Sequence, residues 1–335
     1  MDTVYLGMEL RSPLVASAGP LTQNVDEVKQ LADTGVGAIV MHSMFAEKLL
    51  RDAAADAAME DSYAELSAEA TSVFPEPLQD VDPANHYLNL VQRSVAAVDI
   101  PIIASLNAAH TGTWVSYAQQ LADAGASAIE CNIYFVPGNA TLTGAEVELR
   151  HLQIVEAVTG AVDVPVAVKL SPHFSSVGNF ALRLIDAGAD GLVLFNRFLQ
   201  PRMDIKTLSV EPGVTLSSSE ESHLPRAWIA TLRNRTAASL AATSGVETAA
   251  DVIAYLLAGA DVVMTTSALV RHGISYAETL LSGVEEWRAR RGFASIAEMR
   301  GKLALPSETD GDVAARNDYL AALEKAQITY GSTVG

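Results

Sequence analysis

Four stretches of this chain repeat one design: ADTGVGAIVMHS (32–43), ADAGASAIECN (122–132), IDAGADGLVLFN (185–196) and LLAGADVVMTTS (256–267). Each ends a helical pattern at a glycine, where a left-handed C-cap carries no Cβ penalty, and passes directly into an apolar run. A second pattern, VDIPIIASLN (98–107) and VDVPVAVKLSP (162–172), falls between them. Runs that are apolar almost throughout, separated by helical segments, are what strands buried on both faces of a parallel sheet look like. With Pro13–Ser17 at the start and Leu240–Thr243 near the end, the count reaches eight strands. Eight alternating strand and helix units predict an α/β fold of the closed (β/α)8 TIM-barrel type. An open doubly wound sheet is the alternative, but no G-x-G-x-x-G follows the first strand, as a dinucleotide-binding sheet would carry.

The stretch Leu240–Leu269 then acquires a role. Its two strands end in Ser244-Gly245-Val246 and Thr265-Thr266-Ser267, small residues whose backbone N–H groups can approach an anion, each turn opening onto a helix. In (β/α)8 barrels a phosphate group sits at the loops after strands seven and eight. These two turns are the expected phosphate site.

Composition narrows the partners. Lys and Arg number 22 against 40 Asp and Glu, a formal charge of -18 that repels polyanions, so nucleic acid and anionic membranes are poor partners. The single cysteine cannot form an internal disulfide or hold an iron–sulfur cluster, which fits a reducing cytoplasm. Electrons, if the chain handles them, leave through a separate acceptor. MDTVYLGMELRSPL has neither the basic start nor the apolar core of a signal peptide, and no run reaches the roughly 18 apolar residues of a membrane span. A soluble cytoplasmic protein is expected, its oligomeric state open and a homodimer included.

Two insertions break the rhythm. Met44–Asp82, after strand two, holds ten acidic and two basic residues and reads as a solvated surface segment or a lid. Arg197–Ser222, after strand six, carries Glu211-Pro212-Gly213 between short β-like runs and predicts a protruding hairpin turning there. Residues 1–303 are expected to form one barrel domain and 304–335 a peripheral tail, helical around Val313–Ala326.

The C-terminal ends of barrel strands carry chemistry. Here they present Ser17, Ala18 and Gly19; His42 and Ser43; Asn107; Asn132; Lys169 and Ser171; Asn196; Ser244 and Gly245; Thr266 and Ser267. The three asparagines offer donors and an acceptor without charge, suiting a planar heterocycle or an amide-bearing substrate, or they cap loops. Lys169 closes the apolar strand VPVAV. Its ammonium is an ordinary ion pair, a partner for a cofactor that becomes anionic, or a Schiff-base nucleophile. Cys131 alternates with Asn132, so it faces the helix layer as an inert thiol if Asn132 faces the mouth. The seven histidines show no metal-binding spacing.

PLVASAGPL, AIVMHS, IPIIASLN, AIECN, VPVAVKLSP, GLVLFN, TSGV and TTSAL, in that order, resemble the FMN-containing dihydroorotate dehydrogenases of pyrimidine biosynthesis. CNIYFVP, LVLFNRFLQP and WRARRGFASIAEMRGKL resemble their dihydroorotate dehydrogenase-like branch, and the resemblance runs from residue 4 to about 303. Without the N-terminal amphipathic helices of the membrane-bound class, the chain is similar to the soluble class. The resemblance implies an FMN flavoprotein with a small-molecule substrate. It implies that Ala16, Ser17 and Gly19 line the flavin ring and that Lys169 sits at its pyrimidine end, stabilising the reduced anion. It also implies Asn107, Asn132 and Ser43 against flavin or substrate, Asn196 against substrate, and Gly245, Val246, Thr266 and Ser267 around the phosphate.

The chain departs from the family at the base. His42 stands where lysine is usual, and the loop after strand four reads Asn132-Ile133-Tyr134-Phe135-Val136-Pro137 in place of one bearing a Cys or Ser base. Phenylalanine takes no proton and a free tyrosine titrates near about 10, so Tyr134 is a poor base and His42 the other candidate. The expected activity is an FMN-dependent oxidoreductase on a small CH–CH substrate, with dihydroorotate a poor one. Its rivals are a Schiff-base aldolase or synthase using Lys169, and an idle FMN-binding partner subunit.

Overall fold

The computed structural model describes residues 1–45, 83–107, 111–134, 138–197 and 201–331. The acidic insertion beyond Phe45 and the loop residue Phe135 therefore lie outside the described residues. In chain order the strands are β1 (Thr3–Tyr5), β2 (Met8–Leu10), β3 (Leu14–Ala16), β4 (Ala38–Val40), β5 (Met44–Phe45), β6 (Ile102–Asn107) and β7 (Ala128–Asn132). They continue as β8 (Val166–Leu170), β9 (Gly191–Leu194), β10 (Arg202–Asp204), β11 (Ser209–Glu211), β12 (Ser239–Ala242) and β13 (Val262–Thr265).

The parallel order β4-β3-β13-β12-β9-β8-β7-β6 closes on itself because β4 also pairs with β6, Ile39 opposite Ile102. Eight parallel strands with helices around them form the expected (β/α)8 barrel. The repeat explains the closure locally: Gly35, Gly125, Gly188 and Gly259 have φ of 88°, 92°, 105° and 122°. Each turns its chain from a helix end into the next strand in a conformation that costs glycine least. Helix starts are capped in kind. Thr248 accepts from the Asp251 amide, and the Asp251 carboxylate returns a bond to the Thr248 amide at 2.9 Å.

Alternation along the strands sorts the core into two. Val15, Val40, Ile103, Ala128, Ala167, Val193, Ala241, Val262 and Met264 face the barrel interior, and Ile129, Cys131, Val168 and Leu192 face the helices. The β1–β2 hairpin, not foreseen from the sequence, adds Tyr5, Leu6 and Leu10 to the interior set and closes the end where the strands begin. Beside it, buried Asp261 binds Arg233 at 2.8 Å, Arg300, and the Leu240 amide at 2.7 Å.

The insertion after β9 does form a hairpin, β10 against β11, but its turn is Ile205–Leu208 and not Glu211-Pro212-Gly213. The Asp204 carboxylate accepts from the Lys206 amide at 2.7 Å, an Asx-type turn that bends the chain first. Near the end of the described chain lies a helix, Gly311–Tyr330, that buries no residue. No described helix is long and apolar enough to cross a membrane.

One packing detail yields a pH prediction. His151, on the helix Gly144–Thr159, is fully buried, edge-on to Phe174 and Phe180, with Nδ1 donating to the Val147 carbonyl at 2.8 Å. Burial holds its pKa below the ordinary 6.5. The unfolded chain therefore binds this proton first as pH falls, so the contribution is complete above about 6.5 and is lost with acidification. Tm should fall between about pH 7.5 and 5.5, and less steeply in His151→Leu. Equal slopes in the two proteins, by calorimetry, would exclude this assignment.

Candidate active site

Inward-facing positions are apolar through the lower barrel and change character one layer below the mouth. There β6 contributes Ser105, β7 contributes Glu130 and β8 contributes Lys169, with exposures of 0%, 0% and 7%. Register makes them neighbours: Ser105 is opposite Glu130, and Asn132 is opposite Lys169. Lys169 Nζ lies 3.6 Å from Glu130 Oε1, which also accepts from Ser105 Oγ at 3.3 Å. Ser105 Oγ meets Ser43 Oγ at 2.8 Å; Ser43 accepts from Asn132 Nδ2 at 3.0 Å; and Asn196 Nδ2 donates to Asn132 Oδ1. A continuous polar chain thus runs from a buried ion pair to the mouth. Glu130 Oε2 is buried with no hydrogen-bond partner among the described residues.

Two cavities meet over this chain. The larger, about 730 Å³, is lined by Ala18, Gly19, Gln23, His42, Ser43, Phe45, His86, Tyr87, Asn132, Lys169 and Asn196, among others. The smaller, about 320 Å³, is lined by Ser17, Arg197, Ser217, Thr243, Ser244, Val246, Thr266 and Ser267, and it shares Ala18, Gly19, Pro20, Lys169 and Asn196 with the first. Lys169 and Asn196 stand at the junction.

His42 and Tyr87 pack edge to face, 4.9 Å between ring centres. His42 Nδ1 donates to the Thr22 carbonyl at 3.1 Å. Tyr87 donates to the His42 carbonyl at 2.6 Å, and burial pushes its phenol well above the ordinary range. Cys131 lies outside the barrel interior. Burial first, and the Glu130 charge second, push its thiol up, which fits an inert buried cysteine.

The expected residues divide. His42, Ser43, Gly19, Asn132, Lys169 and Asn196 line the larger cavity; Ser17, Val246, Thr266 and Ser267 line the smaller. Ala16 points its side chain outward into the helix-side core, and Ala18 takes the lining place. Asn107 is buried at the end of β6 but lines neither cavity, and half-buried Tyr134 also lies outside both linings.

Gly245 lines neither cavity and is closely packed. With φ of 68°, it presents its Cα to the Ser218–Ser222 segment, where a Cβ would sit 2.5 Å from the Ser222 amide nitrogen and 2.8 Å from the Ser218 carbonyl. Gly245→Ala is expected to cost about 1–3 kcal/mol through strain and displacement of that segment. Denaturant midpoints indistinguishable from the native protein would contradict the clash.

Several residues escaped the sequence reading. Glu130 and Ser105 were legible by alternation, two positions before Asn132 and Asn107. Ser217 was not: it arrives from the hairpin insertion and donates its amide to Ser267 Oγ at 3.1 Å, roofing the smaller cavity.

The profile of the dihydroorotate dehydrogenase family matches residues 1–287. A dihydroorotate dehydrogenase B (NAD(+)) catalytic subunit of Methanothermobacter thermautotrophicus is 24% identical over 311 residues, covering 90% of this chain and 97% of that one. Its counterpart in Thermoplasma acidophilum is 24% identical over 308 residues, covering 90% and 98%. A dihydroorotate dehydrogenase A (fumarate) of Lactobacillus helveticus is 33% identical over 178 residues, covering 51% and 57%. With its barrel, its polar mouth and a family match spanning most of its length, the chain belongs to the dihydroorotate dehydrogenase family.

Proposed function

We propose that the chain is an FMN-dependent oxidoreductase that takes a hydride from a small CH–CH substrate and passes electrons to a separate acceptor. The observation that carries this reading is the smaller cavity. In a chain of net charge -18, the described residues of its lining include no carboxylate, several hydroxyls and two cations, Lys169 and Arg197, whose ion-pair partners Glu130 and Glu221 stand behind the lining. That donor set fits a phosphate. The cavity opens at Lys169 into a chamber of about 730 Å³, in the range of small-molecule sites. FMN, when bound, supplies the hydride acceptor.

The chain's own residues would divide the remaining work. Ser17, Ser244, Val246, Thr266 and Ser267 hold the phosphate end, and Lys169 places a cation where negative charge develops. Asn132 and Asn196, already bonded to each other, orient a planar polar ligand; His42 and Ser43 face the chamber with groups that can move a proton. The Schiff-base alternative fits less well, because an ammonium 3.6 Å from a buried carboxylate is not a nucleophile. The relatives' names give two acceptors, fumarate and NAD(+), so they do not select one for this chain.

The purified protein should be yellow and should release FMN on heating, identified by mass. FAD, or no flavin after reconstitution with FMN, would remove the reading. Turnover with an artificial electron acceptor would separate an enzyme from an idle binder.

A further inference from the structure

We propose that Glu130 is the internal proton acceptor of this site, charged through Ser43 and Ser105, so that reduction hands Lys169 from the carboxylate to the cofactor. The inference rests on the proposed function and adds a proton path to it. The geometry orders the path. Ser105 Oγ donates to Glu130 Oε1 at 3.3 Å, so the 2.8 Å contact between the serines is a bond donated by Ser43; Asn132 donates to Ser43 at 3.0 Å and leaves it a second lone pair. Ser43 lines the substrate chamber, and Glu130 is fully buried beneath it.

The step balances. One substrate C–H bond breaks and its electron pair leaves as hydride to the cofactor. The neighbouring C–H bond gives its electrons to the new C=C and its proton to Ser43 Oγ. The Ser43 proton passes to Ser105 Oγ, and the Ser105 proton to Glu130 Oε1. On reoxidation the separate acceptor would take the electron pair, the hydrogen delivered as hydride would leave with it or as a proton to solvent, and the Glu130 proton would leave through Ser105 and Ser43.

Charge is the physical reason for the arrangement. Lys169 and Glu130 form a neutral buried pair, and an electron pair arriving beside them would leave one uncompensated negative charge in a desolvated site. A proton on Glu130 restores neutrality and releases the Lys169 ammonium to the new charge. The other titratable groups that sense Glu130 do not compete. Tyr5 from the N-terminal hairpin, Tyr87 from the helix Pro83–Ala97 and Cys131 from β7 itself all have pKa values raised, in each case first by burial, so they stay protonated. Among the described residues lining the chamber, His42 and His86 are the other groups that could take a proton, and an infrared carboxyl band tells Glu130 from either.

The test uses FMN-loaded protein and no substrate: the flavin midpoint potential is titrated against pH. The native protein is expected to take up two protons per electron pair and Glu130→Gln one, a change in slope of about 30 mV per pH unit for a two-electron couple. Reduction of the native protein should also produce a protonated-carboxyl band in the infrared difference spectrum, which needs no variant to fold. Ser105→Ala should keep the two-proton uptake but slow it at least tenfold. Uptake that is unchanged in Glu130→Gln, or that is lost in His42→Gln, or a native difference spectrum without the carboxyl band, would overturn the proposal. So would an uptake rate unaffected in Ser105→Ala. Failure to bind FMN would instead strike the proposed function.

Discussion

Lys169→Ala is expected to destabilise the apoprotein by about 3–5 kcal/mol, because it strips a fully buried carboxylate of its counter-charge. Glu130 is inaccessible and, among the described residues, has one oxygen without a hydrogen-bond partner and retains the Ser105 hydroxyl alone once the ammonium is gone. Removing both charges should cost much less than removing one, since the remaining cavity then holds no unpaired ion. Glu130→Gln in the Lys169→Met background should therefore recover most of the loss, with a coupling of at least about 1 kcal/mol. Denaturant unfolding of protein freed of cofactor isolates this term from ligand linkage. In FMN-loaded protein, Lys169→Ala should also lower the flavin potential and slow its reduction about tenfold for each ~1.4 kcal/mol of lost stabilisation. A single variant as stable as the native protein, or additive effects in the double variant, would show that the pair carries no interaction energy.

The barrel was legible because its signal is repeated and local. Gly35, Gly125, Gly188 and Gly259 mark the same event four times, and the strands that follow are apolar enough to be buried on both faces. The β1–β2 hairpin was not legible: strands of three residues give alternation too little length to register. Pro212 and Gly213 drew the hairpin turn to the wrong place, because they are the stronger local signal while the Asp204 side chain sets the real one. At the site, strand ends were easy to find and the layer beneath them was overlooked. The alternation that turns Cys131 outward also turns Glu130 inward and Ala16 outward. Ser217 lies beyond any such rule, since it reaches Ser267 across 50 residues of sequence.

Purified, FMN-replete protein is expected to oxidise dihydroorotate at a kcat/KM at least about 10²-fold below that of a family member with a Cys or Ser base, the lower end of what general-base assistance supplies. Two features of the site argue for this. First, the loop after β7 offers Tyr134, which lines neither cavity, in place of that base, while the proton path through Ser43 starts from the end of β4. In the sequence of that loop, Ile133 to Pro137, Tyr134 is the one side chain that could accept a proton. Second, dihydroorotate carries a carboxylate. Among the described residues lining the larger cavity, Lys169 is the one lysine or arginine, and Glu130 already holds it. An anionic substrate would have to displace a buried ion pair, whereas a neutral amide could use Asn132, Asn196 and Gln23 without that cost. Anaerobic mixing of the oxidised protein with dihydroorotate, followed by flavin absorbance, decides the matter, and neutral cyclic amides provide the comparison. Fast bleaching by dihydroorotate that disappears in Tyr134→Phe would overturn the prediction and make Tyr134 the base. Bleaching that survives Tyr134→Phe but is lost in Ser43→Ala would instead show that the path to Glu130 serves this substrate after all.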